Sequence, residues 1–566
     1  MKMRFVNSLT SRLKQDAQTP GEPFKISNIT PLASTPRPVM QAHFSYVRPE
    51  PSPDVKLVSL NRKAATDLLN LDESEATADI LSGNQLMEGT NPWSLNYGGH
   101  QFGVWAGQLG DGRAISLGEV IDSKNHRWEL QLKGAGRTPY SRFADGYAVL
   151  RSSIREYLCA ENMNAIGIPT SRSLSIVSTS RVVYREDQEQ GAIVCRLAPS
   201  WIRFGSFELF FSRGDFANLK LLADYTIETH FPNVFVAANQ PSNKYLLFLK
   251  EVVERTADMI AWWQSVGFCH GVMNTDNMSI LGITIDYGPF QFMDIYNPAY
   301  ICNHSDEMGR YAFYKQPSIA IWNLSRLAST LSVLMAKQLP DSPDPPLIPE
   351  KEEQAINGEL VKVLTGFSDR WDATFSKLLR DKLGLVEQRS EDMTSIFQPL
   401  LQLMHEMEVD YTHFFRAFSY MSIESGSISE QTFQGWSKFS VKSSVDWDVV
   451  VPSESDEPST SITTRFQTWY NVYRTRLISE HPSEAISVID SKRKAIMLRS
   501  NPKYVLRNHI VAETIKETER NPASDAVDRY LKVLMNPFDE GTPQEQHKFL
   551  KMVNDEERSI KCSCSS

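Results

Sequence analysis

Apolar and polar positions change period twice along the chain. Asn61 to Leu71 carries a helical pattern between Pro-rich connectors at Pro31 to Pro38 and Pro49 to Pro53, so residues 1–90 read as an irregular lead-in. Ala114 to Val120 is an apolar run and Trp128 to Lys133 alternates with period two, which predicts neighbouring strands of an antiparallel sheet. Leu150, Ile154 and Leu158 then fall at i, i+4 and i+8, a helix with its stop signal at Gly167-Ile168-Pro169. Val182 to Tyr184 and Ala192 to Arg196 return to strand character. From Phe216 the pattern is mostly helical, and Val252 to Val266 leads directly into His270. Asp341 to Glu353 and Pro452 to Thr464 read as solvated linkers, with helical periodicity at Leu360 to Leu403 and Thr464 to Asn508. This order predicts an α+β chain with units at 1–90, 91–215, 216–340 and 355–566.

Composition narrows the function classes. A chain of 566 residues with 41% hydrophobic content can bury a large core. The formal net charge of -9 argues against a nucleic-acid binder, although basic residues cluster between Lys133 and Arg155. No run of about 20 apolar residues occurs, so no membrane span is expected. Cys159, Cys195, Cys269 and Cys302 sit singly in apolar segments and read as buried thiols of a reducing compartment. Cys562 and Cys564 lie in a polar tail, where an exposed pair is a redox or tethering candidate. The first 15 residues are basic, with no acid before Asp16; this fits a mitochondrial transit segment or a short N-terminal helix. The expected compartment is mitochondrial for a eukaryotic source and cytoplasmic for a bacterial one.

The chemistry concentrates around His270. His270-Gly271-Val272-Met273-Asn274-Thr275-Asp276-Asn277 follows the kinase-like pattern H-G-D-x-x-x-x-N with Val272 at the position of the proton-accepting Asp. Asn277 keeps its spacing, and Ile285-Asp286-Tyr287-Gly288 follows, so a hard-oxygen pair suited to Mg²⁺ or Mn²⁺ remains at Asn277 and Asp286. Asp276 is the nearest base, or else a group that holds Asn277 in place. His270 is expected to orient the loop. Upstream, Gly107-Gln108-Leu109-Gly110-Asp111-Gly112-Arg113 offers close backbone approach and a cation for phosphate, or simply a hairpin. Lys133 at a strand end and Glu156 on the next helix match the ion pair that sets a kinase lysine on ATP phosphates. Arg113, Arg196 and Arg203 together would line a polyphosphate pocket. The order of these parts predicts a protein-kinase-like two-lobed fold, with 91–215 as small lobe, 216–340 as large lobe and a helical C-terminal extension.

These motifs resemble one family, the selenoprotein O family of protein adenylyltransferases. The resemblance is carried by Tyr97 to Gly103, Gln108 to Glu119, Leu130 to Arg155, Arg196 to Phe210, His270 to Phe290 and Asn323 to Leu327. It implies AMP transfer from ATP to Ser, Thr or Tyr hydroxyls of proteins, with ATP flipped relative to kinases and pyrophosphate leaving into the basic pocket. It further implies ATP contacts from Gly110, Gly112, Arg113, Lys133, Asp145, Gly146, Arg196 and Arg203, an ion pair from Glu156, proton acceptance by Asp276 and metal ligation by Asn277 and Asp286. Many members end in Cys-x-x-Cys or Cys-x-x-selenocysteine. Here the spacing is Cys562-Ser563-Cys564, a ring that closes less readily.

Two readings compete with adenylyl transfer: a catalytically silent ATP-binding scaffold, and a kinase whose base has moved to Asp276. Retention of Lys133, Glu156, Asp276, Asn277 and Asp286 favours an enzyme, and the three arginines favour a leaving polyphosphate. On the sequence alone, Lys133→Ala and Asp286→Ala are expected to damage turnover far more than folding.

Overall fold

The computed structural model describes residues 4–19, 31–237, 244–337, 348–428 and 461–553. The fold is mixed α/β, with an antiparallel sheet and many helices. The strands that matter for the site are β1 (Phe44–Tyr46), β2 (Lys56–Leu60), β3 (Trp93–Leu95), β4 (Gly98–Gln101), β5 (Val104–Gln108), β6 (Ala114–Ile121), β7 (Arg127–Lys133), β8 (Ala148–Val149), β9 (Arg172–Tyr184) and β10 (Gln188–Ala198). The main sheet runs β1-β3-β6-β7-β10-β9-β2, with β8 on β10, while β4 and β5 form a separate hairpin.

Strands β6 and β7 form where the alternation predicts them, with Ala114 opposite Lys133. Strands β9 and β10 extend well beyond the predicted segments. Ser173, Ser175 and Ser178 break the apolar run of β9 yet are buried in the sheet, which is why only its C-terminal end reads as a strand. The lead-in also contributes edge strands, since β1 pairs with β3 and β2 with β9. Its basic start forms the helix α1 (Ser8–Arg12), with Leu9 buried and its N–H donating to Glu119 Oε2 at 2.9 Å.

Both faces of the sheet are covered. Helix α2 (Arg62–Leu69) and helix α3 (Ala78–Ser82) enclose one face over Leu132, Leu174, Val177 and Cys195. Helix α4 (Leu150–Ile166) covers the other with Ile154, Tyr157 and Leu158, and ends at Gly167 with φ 98°, a left-handed cap suited to glycine. The main core continues into α5 (Phe204–Ser212), α6 (Phe216–His230), α7 (Pro232–Ala237), α8 (Lys244–Val266) and α9 (Gln316–Ser332). Helix α10 (Glu350–Leu383) packs along α8. It shares a second, aromatic core with the later helices Tyr411–Tyr420 and Ile462–Ile478. The two predicted linkers lie largely outside the described residues; where described, their ends start helices at Glu350 and Ile462. Among the described residues no helix is long and apolar enough to cross a membrane.

Lys382 lies buried in this second core. Its ammonium donates to Asn501 Oδ1 at 3.1 Å and sits 4.5 Å from the Phe415 ring centroid, with no carboxylate partner among the described residues. Burial lowers its pKa from 10.5 to about 7. Between those values the unfolded chain binds a proton that the folded chain does not, so stability rises with pH by about 1.4 kcal/mol per unit across that window. Lys382→Met removes this term. The thermal midpoint of the variant is therefore expected to exceed that of the parent at pH 7, with the gap narrowing by pH 9; an equal gap at both values would contradict it.

Candidate active site

A cavity of about 730 Å³ opens between the sheet with α4 and the loop that follows α8. Period two sets its upper wall: Gln131 and Lys133 share a face of β7, and Arg196 stands opposite Gln131 on β10. Helix α4 brings Glu156 beneath them. Lys133 Nζ meets Glu156 Oε2 at 2.6 Å, and Arg196 Nη1 meets Glu156 Oε1 at 2.7 Å. The remaining Arg196 nitrogens donate to Gln131 Oε1 at 2.9 and 2.6 Å, and the guanidinium lies 4.2 Å from the Trp201 ring centroid.

Asp286 joins this wall to the loops below. Its backbone is left-handed with φ 55°, a conformation that costs a non-glycine residue free energy and that Asp tolerates better than most. The carboxylate receives Arg196 Nη1 at 2.6 Å and Arg203 Nη1, with Lys133 Nζ at 3.8 Å. Burial pushes this carboxyl up, but Arg203, Arg196 and Lys133 more than offset it and hold the pKa well below the usual range. The same carboxylates keep Arg203 and Arg196 charged against the pull of desolvation. For Lys133 burial prevails, and its pKa falls despite Glu156.

Arg113 differs from the other cations. It lines the cavity, its pKa is lowered first by burial, and among the described residues its guanidinium has neither an ion pair nor a side-chain hydrogen bond. Four basic side chains thus share Glu156, Asp286 and Asp111, the last 4.0 Å from Arg203. On this wall four basic side chains stand against three carboxylates, a local positive surplus that suits an anion.

The lower wall is the turn Thr275–Asn277. Asp276 is buried, and burial pushes its carboxyl up to about 7 against a hydrogen bond from Gln101 Nε2 to Oδ2 at 3.1 Å. Among the described residues its Oδ1 accepts no hydrogen bond, and it lies against Gly99, where a Cβ would come within 2.6 Å. Arg203 Nη1 also donates to the Asp276 carbonyl at 2.7 Å, so one arginine ties Asp276 to Asp286. Asn277 Nδ2 donates to the Val272 carbonyl at 3.1 Å, leaving Oδ1 without a hydrogen bond among the described residues. His270 orients the loop: Nε2 meets the Ile285 carbonyl at 3.0 Å, and its ring stacks on Trp263.

Gly110, Gly112, Asp145 and Gly146 also line the cavity. Sterics account for the glycines: a Cβ would meet the Tyr140 ring at 2.4 Å from Gly110, the Tyr140 carbonyl at 2.8 Å from Gly112 and Gly136 at 2.3 Å from Gly146. Asp145 is committed to Arg185 through two hydrogen bonds of 2.8 and 3.1 Å. Arg185, Gln101 and Tyr147 reach the cavity without having been singled out from the sequence. Arg185 lies 40 residues from Asp145, and only the β9–β10 hairpin brings them together. Cys562 and Cys564 lie outside the described residues; Cys159, Cys195, Cys269 and Cys302 are buried thiols.

For a divalent cation the donor set is small. Among the described residues no three His, Cys, Asp or Glu side chains converge as ligands, which leaves the Asn277 amide oxygen and the Asp286 carboxylate. That pair fits a metal delivered with phosphate oxygens, not an all-protein cage.

Comparison with known proteins points the same way. The family model described as "Protein adenylyltransferase SelO" matches residues 34–535. A relative from Cupriavidus metallidurans, named protein nucleotidyltransferase YdiU, is 43% identical over 530 residues, 92% of this chain and 89% of its own length. Relatives of the same name from Myxococcus xanthus and Photobacterium profundum are 42% and 41% identical, covering 91% and 92% of this chain and 95% and 96% of theirs.

Asp286 carries structural load as well, so loss of turnover in Asp286→Ala is expected to come with a measurable loss of stability. Asp286→Ala leaves Arg203 buried without its closest carboxylate, and removing one partner of such a pair costs about 3–5 kcal/mol. Its thermal midpoint without ligand is expected to drop by several degrees and to recover in part when tripolyphosphate supplies anions to the same cations. A variant as stable as the parent without ligand would contradict this arrangement.

Proposed function

The chain belongs to the SelO family of protein adenylyltransferases and is a protein nucleotidyltransferase, and from that premise we propose that it transfers AMP from ATP to Ser, Thr or Tyr hydroxyls of proteins with release of pyrophosphate. The observation that carries the reading is the cationic wall, with the unpaired Arg113 facing it, set opposite the buried Asp276. The sheet with α4 is read as the small lobe of a kinase-like fold and the helices from α6 onward as its large lobe, with the cavity as the cleft between them.

In this reading Arg113, Lys133, Arg196 and Arg203 take the β- and γ-phosphates, the end of ATP that leaves. The α-phosphate then lies towards Asp276, flipped relative to a kinase. The acceptor hydroxyl oxygen bonds to the α-phosphorus as the bond to the bridging oxygen breaks. Its proton passes to Asp276, and the two electrons of the broken bond leave with pyrophosphate. Glu156 holds Lys133 and Arg196 in place, and Gly110, Gly112 and Gly146 keep the loops close to the triphosphate. Asn277 and Asp286 would hold Mg²⁺ or Mn²⁺, which neutralises phosphate charge when bound. Most of the acceleration is then electrostatic: fixed cations await charge that develops on the leaving group.

The test uses ATP labelled on either the α- or the γ-phosphate with a mixed protein extract. Label is expected on protein from the α-position alone, reduced about 100-fold or more in Asp276→Asn, as for loss of a general base. Arg113→Gln is expected to raise the KM for ATP about tenfold or more, the scale of a lost hydrogen bond to a charged group. Transfer from the γ-position would overturn the reading.

A further inference from the structure

Beside the acceptor end of the cleft, two arginines share one indole. The Arg310 guanidinium stands 4.7 Å from the Trp322 ring centroid, and Arg326, one turn further along α9, stands 5.3 Å from it. Neither has a carboxylate partner among the described residues, and the Nε of each is buried without a hydrogen bond. Two acids of the neighbouring segments are engaged elsewhere, Glu208 through one oxygen only. Asp306 receives the backbone N–H groups of Arg310 and Tyr311 at 2.9 and 2.7 Å, and Glu208 holds His100 Nδ1 at 2.7 Å. Two guanidiniums held near one indole without a carboxylate partner among the described residues, on a chain of formal net charge -9, are open to an anion.

The arginine pair adjoins the active site without lining the cavity. A Cβ on Gly103, in the β4–β5 turn, would come 3.2 Å from the Arg310 guanidinium carbon. Next along the chain, the Tyr311 hydroxyl donates to Asn274 Oδ1 at 2.5 Å, two residues before Asp276. Phe102 N–H donates to the same Asn274 oxygen, and Gln101 reaches Asp276 itself. Around the pair the surface is apolar and open: Val104 is 71% and Met308 88% exposed, and Phe102 lines the cavity mouth. Exposed large apolar side chains around an uncompensated charge pair mark an interaction surface.

We propose that Arg310 and Arg326 dock an acidic segment of the acceptor protein, with Asp or Glu side chains close to the hydroxyl to be modified. This rests on the acceptor being a protein, as set out above, and it adds a charge preference in the acceptor. Carboxylates on the segment take the two guanidiniums, while Phe102, Val104 and Met308 cover its apolar side chains. Docking there leaves the phosphate-binding wall untouched, so it governs acceptor selection and not ATP binding.

The test measures binding without catalysis. Two fluorescent peptides, identical except that a central Tyr is flanked by Glu in one and Gln in the other, are titrated with the full chain and followed by anisotropy. The Glu peptide is expected to bind about tenfold tighter, with added salt removing the difference. Arg310→Gln/Arg326→Gln should abolish the preference, Arg310→Lys/Arg326→Lys should keep most of it, and both should leave the KM for ATP unchanged. Equal affinity for the two peptides, or an unchanged preference in the Gln variant, would overturn the proposal. So would tighter binding of a phosphoserine peptide than of the Glu peptide. Charge-dependent binding without α-label transfer would instead remove the adenylyl-transfer chemistry and leave the docking face standing.

Discussion

The Asp286 carboxylate is the fixed point of the molecule. It holds Arg196 from the sheet and Arg203 from the start of α5, with Lys133 close by, and it does so from a left-handed backbone that only surrounding contacts keep in place. Burying several charges together is expensive, and replacing such a cluster by apolar groups often costs nothing. Its persistence here follows from what the cations face: an open cavity and an additional partly buried guanidinium, Arg113, with no ion pair among the described residues. In the proposed reading phosphate oxygens supply the missing negative charge, and the cluster is then better matched to a triphosphate than to itself.

That constraint reaches the lower wall through one residue. Arg203 touches both Asp286 and the Asp276 carbonyl, so the base and the cationic wall keep a fixed separation. The β4–β5 hairpin closes the arrangement from the outside. Gly99 and Gly205 let it approach closely: a Cβ on Gly205 of α5 would meet the Gly98 carbonyl at 2.0 Å, and one on Gly99 would strike Asp276. The hairpin therefore positions Gln101 at Asp276 and presents Phe102 and Val104 at the mouth, so the proposed chemistry and the proposed acceptor recognition meet in one short element.

Much of this was legible in the sequence because it follows local rules. Alternation in β7 and the helical spacing of α4 placed Lys133 and Glu156, and the loop after His270 placed Asp276, Asn277 and Asp286. What escaped depends on tertiary pairing. Buried serines disguised β9, and the edge strands β1 and β2 hid in a lead-in that reads as irregular. Arg185 meets Asp145 only through a hairpin, and Arg310 meets Trp322 only across a helix and a loop. The glycines at 110 and 112 read from the sequence as a phosphate cradle or a hairpin, and contact with Tyr140 independently requires them to be small. Asp286 was read as a metal ligand, and its structural load became visible only with its three cationic neighbours.

The most direct measurement is a crystal structure with a non-hydrolysable ATP analogue and Mg²⁺. The β- and γ-phosphates are expected on Arg113, Lys133, Arg196 and Arg203, with the α-phosphate towards Asp276 and the cation between Asn277 and Asp286. A γ-phosphate lying at Asp276 with the base at the cationic wall, as in a kinase, would contradict the account.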